Sequence, residues 1–409
     1  MSRVVITGMG VVTPVGRTVR DFFDALVAAR SGVRPVPTAL DPEGRRLVAA
    51  LVDGDPATQL SGQPGARLDR GTQLALVAAR NATTDAGLAL DEEECERAGV
   101  YWGTGFGGAT SIEESYRKLF ALDGRVRPTA VVLGMSNAAA AHVSIELGLR
   151  GPILNVATAC SSSASAIGEA FRAIRAGDAD VAVAGGSEAL VTLGNLRAWD
   201  AMQALAHADQ RDPSRSCKPF SANRTGVVLG EGAAAVVLER ESRARKRGAT
   251  ILAELAGYGN AGDARGMSQP DPDGQARAMR AALRDARIDA GDVDYLNAHG
   301  TGTLVGDEAE TTAIRRAFGS DAQRLAISST KALHGHLMGA TGAAELVASV
   351  CTLRRGVLPP TAHLECVDPA CDLDYVPNVA RDARVEIAMS SSFGFGGMNA
   401  VLVARRYHG

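Results

Sequence analysis

The sequence is poor in aromatic side chains and shows no imbalance of charge. Phe, Trp and Tyr make up 4% of the 409 residues, whereas glycine alone contributes 46 residues. Lys and Arg total 43 against 46 Asp and Glu, so the formal net charge is −3 at pH 7. This balance disfavours binding to nucleic acid or to an anionic membrane surface. The scarcity of aromatics predicts a core of small side chains with closely packed backbones.

The sequence also lacks the cysteine pattern of a disulfide framework and the long apolar stretch of a membrane-spanning helix. Six cysteines are spread over a long chain that opens on a strand-like segment rather than a secretory leader, which predicts reduced thiols and a cytoplasmic location. Residues 128–145 and 151–168 contain no Asp, Glu, Lys or Arg, but Gly, Ser and Asn interrupt both. They are predicted to be buried helices and strands rather than membrane spans.

The chain carries an internal repeat on either side of about residue 250. In each half a strand and Gly turn precede an Ala-rich helix, a Gly-Thr-Gly turn, a strand leading into a small-residue helix, and a closing hairpin. The predicted helices are 72–86 and 275–287, and the predicted hairpins are 225–239 and 385–405. Alternating strands and helices favour mostly parallel sheets. We therefore predict two α/β halves, 1–250 and 251–409, which share a central helix layer.

Cys160 is the candidate nucleophile of the first half. It stands where a strand meets a helix, and it is followed by Ser161, Ser162 and Ser163. Unpaired N–H groups at a helix N-terminus stabilise a thiolate and can also bind an oxyanion. A buried structural cysteine is the alternative, and it suits the other five cysteines.

Two histidines of the second half are candidate partners of Cys160. His299 is predicted at a strand end, and His336 at the start of the second small-residue helix. The repeat gives His336 the position equivalent to Cys160, so the three groups should converge near the pseudo-twofold axis. A metal site formed by His334 and His336 is disfavoured, because residues two apart on a helix do not share a face.

Residues 103–108 match G-x-G-x-x-G after a strand, a pattern of dinucleotide-binding folds. The fingerprint expects a second strand ending in an acidic residue about twenty positions later, and no strand precedes Asp123. The Gly-Thr-Gly turn recurs at 300–302, which favours a duplicated structural turn.

With these motifs the chain resembles the β-ketoacyl-acyl-carrier-protein synthases, and most closely the elongating type II enzymes. The resemblance covers essentially the whole chain and rests on four motifs, at residues 158–162, 297–303, 331–340 and 392–399. It implies an α/β thiolase-like fold with duplicated halves in an α-β-α-β-α arrangement.

The resemblance also implies the reaction, a decarboxylative condensation of malonyl-ACP with an acyl group held on Cys160 (ACP, acyl carrier protein). His299 and His336 would stabilise the enolate, and the backbone N–H groups of Cys160 and Phe395 would bind the oxyanion. No metal or organic cofactor is expected, because the substrates arrive on the phosphopantetheine arm of the carrier.

Other positions receive roles from the same resemblance. A Lys331–Glu345 ion pair, joined by Asp307, would fix the site electrostatically, and Phe395 would act as a gate. The expected substrate contacts are Thr301, Thr303 and Ser268 to the phosphopantetheine arm, with Phe106, Trp199 and Val227 along the acyl pocket. The expected carrier-docking residues are Arg67, Arg70, Arg125 and Arg127.

The sequence departs from the family pattern at four positions. Ser221, Thr225 and Val227 replace two acids and an aromatic, and Met398 replaces a threonine. These changes affect the expected pocket wall and the oxyanion loop.

Several questions remain open at the level of sequence. The motifs fit fatty-acid elongation and also a ketosynthase subunit of a type II polyketide synthase. A homodimer and a heterodimer with a chain-length-factor-like homologue are both compatible with them. A non-catalytic partner subunit would be expected to lack Cys160. Acyl length, saturation and the particular carrier are not specified.

Overall fold

The computed structural model describes residues 2–60 and 67–409. One ten-stranded sheet and two short two-stranded sheets form from these residues. The strands are β1 (Val4–Val12), β2 (Val33–Pro35), β3 (Val48–Ala50), β4 (Ala98–Gly103), β5 (Ile153–Val156), β6 (Val181–Glu188), β7 (Gly232–Arg240), β8 (Ala253–Gly262), β9 (Tyr295–Asn297), β10 (Ala326–Ser328), β11 (Val357–Leu358), β12 (Arg381–Asp382), β13 (Ile387–Gly394) and β14 (Met398–Arg405).

The large sheet has the same strand order in both halves. The first half runs β1-β7-β6-β4-β5 and the second β8-β14-β13-β9-β10. In each half the three strands farthest from the junction between the halves are parallel, and the last strand in sequence lies antiparallel beside the first. A short antiparallel pairing of β1 with β8, from Val4↔Leu255 to Ile6↔Ala253, joins the halves. The predicted duplication is therefore present in the topology.

Thirteen helices of the described residues cover and separate the half-sheets. They are α1 (Val19–Val27), α2 (Arg70–Asp85), α3 (Glu92–Glu96), α4 (Ala109–Ala121), α5 (Ala130–Gly134), α6 (Ala138–Leu147), α7 (Ser162–Ala176), α8 (Leu193–Ala201), α9 (Glu241–Lys246), α10 (Pro272–Ala286), α11 (Leu304–Phe318), α12 (Lys331–His334) and α13 (Thr341–Arg355). Helices α2 and α6 cover the first half-sheet, and α10 and α11 cover the second. Helices α7 and α13 contact each other and strands of both halves, so the layer order is α-β-α-β-α, as expected.

Close packing explains why the sequence has so much glycine and alanine. A Cβ at Gly10 of β1 would collide with the carbonyl oxygen of Ala78 in α2, and one at Gly259 of β8 would collide with that of Ala278 in α10. The two glycines occupy matching places in the repeat. Strand and helix backbones approach so closely that no side chain fits between them.

Both central helices end on a glycine, and one of the two predicted hairpins is wrong. Gly177 after α7 and Gly356 after α13 adopt left-handed conformations, with φ of 91° and 67°, as helix C-terminal glycines commonly do. The hairpin predicted at 385–405 is formed by β13 and β14. The one predicted at 225–239 is absent, because β7 pairs with β6 and β1, and residues 189–231 separate β6 from β7.

The expected equivalence of Cys160 and His336 is also wrong. Helices α7 and α13 begin at Ser162 and Thr341, which places Gly339 opposite Cys160. The backbone agrees, since Ala159 and Met338 both have positive φ, of 52° and 49°. His336 lies five residues before α13, in the connection from α12.

The two stretches without Asp, Glu, Lys or Arg form short elements. Residues 128–145 contain α5 and most of α6, and residues 151–168 contain β5 and the start of α7. Among the described residues, no helix combines the length and the apolar character that crossing a membrane requires.

Candidate active site

Cys160 lies in a single 3-10 turn, Ala159–Ser161, that leads directly into α7. Its side chain is buried. Burial raises the pKa of the thiol to about 11, while the N–H of Phe395 and the charge of Lys331 act in the opposite direction. The sequence indicated that the helix start stabilises a thiolate, but in the free protein burial outweighs this effect. The resting group is a neutral thiol.

His299 and His336 lie beside Cys160, as predicted. One ligand-type atom from each of the three side chains lies within 4.8 Å of the other two. The imidazole rings meet edge to face, with centroids 5.5 Å apart. Burial, with the positive charge of Lys331 as the next cause, holds both histidine pKa values well below the usual range. Both rings are therefore neutral at physiological pH.

The surroundings of His336 fix its tautomer. Its Nδ1 accepts the backbone N–H of Met338 at 3.0 Å and lies 2.9 Å from Thr341 Oγ1. The proton therefore resides on Nε2, which is buried and has no protein partner among the described residues. Nε2 can donate a hydrogen bond into the site. A metal ion needs an unprotonated nitrogen, so this arrangement opposes coordination by Cys160, His299 and His336.

His299 and His334 differ from His336 in their partners. His299 Nδ1 is buried and unpaired within the described residues, so the protein does not fix its tautomer. His334 is bonded through Nδ1 to Gly335 O and through Nε2 to Thr330 Oγ1, at 2.7 and 2.9 Å. Both nitrogens of His334 are engaged, so it cannot join His336 in a metal pair.

Lys331 and Glu345 form the expected ion pair behind the histidines. Nζ lies 2.5 Å from Oε1, and both side chains are 0% exposed. The lysine comes from the start of α12 and the glutamate from the middle of α13. The Lys331 charge influences the pKa values of Cys160, His299 and His336.

Asp307 does not join this pair, contrary to expectation. Its carboxylate accepts the N–H groups of Phe220 and Gly302, at 2.7 and 3.1 Å, and lies 3.7 Å from Arg224. Asp307 thus holds the Gly-Thr-Gly loop rather than the histidines. Burial raises its pKa to about 6.

Glu310 is a site residue that the sequence analysis missed. Its buried carboxylate accepts the N–H groups of His299 and Gly300, both at 2.7 Å. Burial raises its pKa to about 8. The available signal was its spacing, since an acid three residues after Asp307 in α11 lies on the same helix face.

Two cavities meet at Cys160. The mouth cavity has a volume of about 430 Å³. Five of the six expected substrate contacts line it, namely Thr301, Thr303, Ser268, Val227 and Trp199. The inner cavity, about 300 Å³, reaches Phe106 and Met338. Cys160, Trp199 and Phe395 line both cavities, and the two aromatic rings stack with centroids 5.6 Å apart. The stacked pair therefore borders the passage from one cavity to the other.

Phe106 lines two cavities. One is the inner cavity, and the other is a flank cavity of about 490 Å³, which shares Phe106 and Asn195 with the inner cavity and is lined by residues of α4. In the single chain 53% of Phe106 is exposed. Phe106 therefore lies between the inner cavity at Cys160 and the flank cavity.

The four arginines do not form one uniform surface. Arg70 donates to both carboxylate oxygens of Glu231, at 2.6 and 2.8 Å, so its charge is neutralised internally and its expected docking role is not supported. Arg127 pairs with Glu114 at 2.9 Å. Arg67 and Arg125 are exposed, and neither forms an ion pair within the described residues.

The departures from the family pattern have local explanations in part. Ser221 Oγ accepts the N–H of Cys366, and Thr225 Oγ1 that of His207. Val227 packs in one apolar cluster with Cys160 and Trp199. The Met398 side chain points largely to solvent, while its carbonyl accepts Ser161 Oγ at 2.8 Å. Since this contact uses the backbone, the residue type at 398 does not control it.

Comparison with known families assigns the chain. The description "Beta-ketoacyl synthase, N-terminal domain" matches residues 1–244, and the corresponding C-terminal domain matches 252–365. The chain belongs to the β-ketoacyl synthase family, and its thiolase-like fold is confirmed.

Relatives of known name align over nearly the full length. "Nodulation protein E" of Rhizobium leguminosarum bv. trifolii is 45% identical, over 99% of both chains. "3-oxoacyl-[acyl-carrier-protein] synthase 2" of Coxiella burnetii is 43% identical, over 99% of this chain and 98% of that one. Among solved structures, the ishigamide ketosynthase/chain length factor aligns over all of both chains with a TM-score of 0.93 and 34% identity. The structure of a type II PKS acyl-carrier protein in complex with its ketosynthase also aligns over all of both chains, with a TM-score of 0.91 and 30% identity.

The buried ion pair yields the first prediction. Glu345→Gln leaves the Lys331 charge buried without its partner, and breaking such a pair costs about 3–5 kcal/mol. We expect this loss in the free energy of unfolding, measured by urea denaturation. The control is Asp321→Asn, which breaks the exposed Arg324–Asp321 pair and should cost at most about 1 kcal/mol. Equal losses in the two variants would contradict the electrostatic account.

Proposed function

We propose that this chain is a β-ketoacyl-ACP synthase of fatty-acid elongation, which condenses malonyl-ACP with an acyl group held on Cys160. The products are β-ketoacyl-ACP and carbon dioxide. The observation that carries the proposal is the convergence of Cys160, His299 and His336 where two cavities meet. The full-length relatives named 3-oxoacyl-ACP synthase 2 support the fatty-acid substrate class.

The first half-reaction transfers the acyl group from its carrier. The Cys160 thiol loses its proton as Sγ attacks the thioester carbon, and His299 is the neighbouring base whose tautomer is free to accept it. The N–H groups of Cys160 and Phe395 stabilise the oxyanion of the tetrahedral intermediate. The pantetheine thiol leaves with a proton, and the acyl-enzyme remains, which makes the reaction ping-pong.

The second half-reaction forms the carbon–carbon bond. Loss of carbon dioxide from the malonyl group leaves an electron pair that becomes an enolate, and His336 Nε2–H and His299 donate to its oxygen. Neutral donors suit this step, because they stabilise the developing charge without protonating the nucleophilic carbon. The enolate attacks the acyl thioester, and the Cys160 thiolate departs. The β-carboxylate is itself the leaving group, so no metal or organic cofactor is needed.

The mouth cavity suits the carrier's phosphopantetheine arm. Thr301 and Thr303 present hydroxyl groups 2.9 Å apart, and Ser268 lies on the opposing loop of the same cavity. Trp199 and Phe395 must separate or tilt to admit an acyl chain past Cys160, which gives Phe395 a gating role.

A ketosynthase subunit of a type II polyketide synthase would use the same chemistry. The polyketide-related structures are 30–34% identical to this chain, whereas the named fatty-acid synthase is 43% identical. The comparison favours fatty-acid elongation. A non-catalytic subunit would not require Cys160 beside two neutral imidazoles.

The first functional test removes the nucleophile. Cys160→Ala should abolish both acyl transfer and condensation, while decarboxylation of malonyl-ACP through His299 and His336 survives in part. The matched control is Cys217→Ala, at a buried cysteine that lines neither the mouth cavity nor the inner cavity. Normal condensation by the Cys160 variant, followed as β-ketoacyl-ACP by mass spectrometry, would refute the mechanism.

A twofold homodimer is the proposed assembly. Strand β5 is an edge of the large sheet. Helix α6 contacts β5, α5 contacts α6, and α4 contacts α5. Exposed apolar side chains lie on β5 and on or directly after these helices, namely Tyr116, Phe120, Leu122, Val131, Val132, Ile145, Ile153 and Leu154. A patch of this kind marks an interaction site, and pairing of two β5 strands would cover it.

Leu154→Glu tests this assembly. The substitution places a charge on the edge strand, so light scattering at micromolar concentration should show a shift from dimer to monomer. Val379→Glu, at another exposed valine, should leave the dimer intact. A wild-type monomer would argue against the homodimer and in favour of a missing heterodimer partner.

Carrier docking is proposed to use Arg125 and Arg67, the two exposed arginines of the expected docking set that form no ion pair within the described residues. Acyl carrier proteins are acidic, so these arginines would steer their approach. Arg125→Glu should raise KM for the carrier substrate at low salt and leave kcat largely unchanged. Arg245→Glu, on α9, is the control. Identical steady-state kinetics of the two variants would remove Arg125 from the docking surface.

The position of Phe106 predicts a preference for short or medium acyl chains. Overpacking a fixed wall costs about 1–3 kcal/mol, so a long saturated chain is disfavoured unless the ring moves. Phe106→Ala opens the inner cavity toward the flank cavity and should raise kcat/KM for long-chain acyl-ACP more than for short-chain. An equal effect on both lengths would eliminate Phe106 as the pocket floor.

A further inference from the structure

Glu188, the last residue of β6, is a buried carboxylate that the mechanism above does not use. It is 0% exposed. Its two oxygens accept four hydrogen bonds, from Gly105 N, Phe106 N, Gly339 N and Thr104 Oγ1, at distances between 2.5 and 3.2 Å. Three of these donors belong to the turn that carries Phe106, and the fourth belongs to the opposite half of the molecule.

The hydrogen bonds satisfy the carboxylate without any positive charge. All four donors are neutral, and no ion pair to Glu188 occurs within the described residues. Burial raises the pKa of Glu188 to about 7, and the four donors act against that rise. Burying a carboxylate without a positively charged partner is costly, and at Glu188 only the four hydrogen bonds offset that cost.

The backbone around Glu188 is shaped to admit the carboxylate. A Cβ at Gly105 or at Gly339 would lie 2.8 Å from Glu188 Oε2. Gly339 is also the residue that the internal repeat places opposite Cys160. The backbone N–H of Cys160 lies at the nucleophile in the first half. The equivalent N–H of the second half, that of Gly339, binds the Glu188 carboxylate instead.

Both segments held by Glu188 supply walls of the inner cavity. Gly105 and Phe106 line it from the first half, and Met338, next to Gly339, lines it from the second. Phe106 is half-exposed, so packing alone does not fix its position. Glu188 binds the turn through three of its donors, Thr104 Oγ1, Gly105 N and Phe106 N, and Thr104 Oγ1 in turn accepts the N–H of Gly107.

We propose that Glu188 is a positioning residue that holds Phe106 and Met338 in place and thereby sets which acyl lengths Cys160 accepts. The inference rests on the proposed condensing activity. It makes Glu188 a determinant of acyl specificity although Glu188 does not itself line the inner cavity. Loosening the Glu188 contacts should allow Phe106 to move toward the flank cavity and relax the discrimination against longer chains.

The test is Glu188→Gln, which keeps the shape of the side chain but replaces one acceptor oxygen with an NH₂ group. That group cannot accept two of the four donors. The measurement is the ratio of kcat/KM for decanoyl-ACP to that for hexanoyl-ACP. We expect the ratio to rise about threefold to tenfold. The Glu188 charge also acts on the pKa of Cys160, but that effect is common to both substrates and leaves their ratio unchanged.

A double-mutant cycle distinguishes positioning of Phe106 from general damage. In a Phe106→Ala background the Glu188 substitution should change the ratio much less, because the ring it positions is absent and only the wall at Met338 remains. The control is Glu231→Gln, which alters a buried carboxylate bonded to Arg70 and Val52 N and should not alter the ratio. Thr104→Val removes one of the four donors to Glu188, together with the bond from Gly107 N to Thr104 Oγ1, and is the second variant should Glu188→Gln not fold.

The outcomes separate this inference from the proposed function. A wild-type chain that condenses neither substrate refutes the function itself. An active wild-type chain whose ratio is the same in Glu188→Gln, or in Thr104→Val where that variant is the one that folds, overturns only the role of Glu188. A ratio that changes equally with and without Phe106 also overturns it.

Discussion

The site depends on one positive charge held in the interior by one carboxylate. Lys331 and Glu345 are fully buried, and they come from the two helices that flank the His336 connection. Removing both charges from water is unfavourable, and only their close contact offsets that cost. In return, the ammonium group disfavours protonation of both histidines and favours the anionic form of Cys160. The pair thus adds to the effect of burial on the two histidines and opposes the effect of burial on Cys160.

Burial determines the remainder of the site's chemistry. The same desolvation that keeps His299 and His336 neutral also keeps the Cys160 thiol protonated in the free protein. The nucleophile is therefore generated only when a thioester arrives and its proton is transferred. Two buried carboxylates also fix the backbone near Cys160 by accepting hydrogen bonds from uncharged donors. Glu310 binds the loop of His299, and Glu188 binds the turn of Phe106.

Much of this arrangement could be predicted from the sequence, because a duplicated chain repeats its own signals. The order of elements and the central helices follow from local patterns. The convergence of Cys160 with two histidines is implied by the family resemblance, while the equivalence within the repeat from which it was also expected is wrong. The partner of Asp307 and the internal pairing of Arg70 could not be predicted, because they depend on contacts between distant segments. The equivalence of His336 with Cys160 is wrong because α13 begins at Thr341, five residues after His336, whereas the sequence placed His336 at the start of that helix. The raised pKa of Cys160 could not be predicted either, because it results from the burial of the thiol, and a position at the start of a helix does not show how deeply a side chain is buried.

The most direct test of the account is to identify the acylated residue during turnover. Mixing the chain with acyl-ACP and analysing the intact protein and its peptides by mass spectrometry should show one acyl group per chain, on Cys160. Adding malonyl-ACP should then discharge this group, with the appearance of β-ketoacyl-ACP. Condensation without an acyl-Cys160 species, or an acyl group retained on another residue through turnover, would contradict the account.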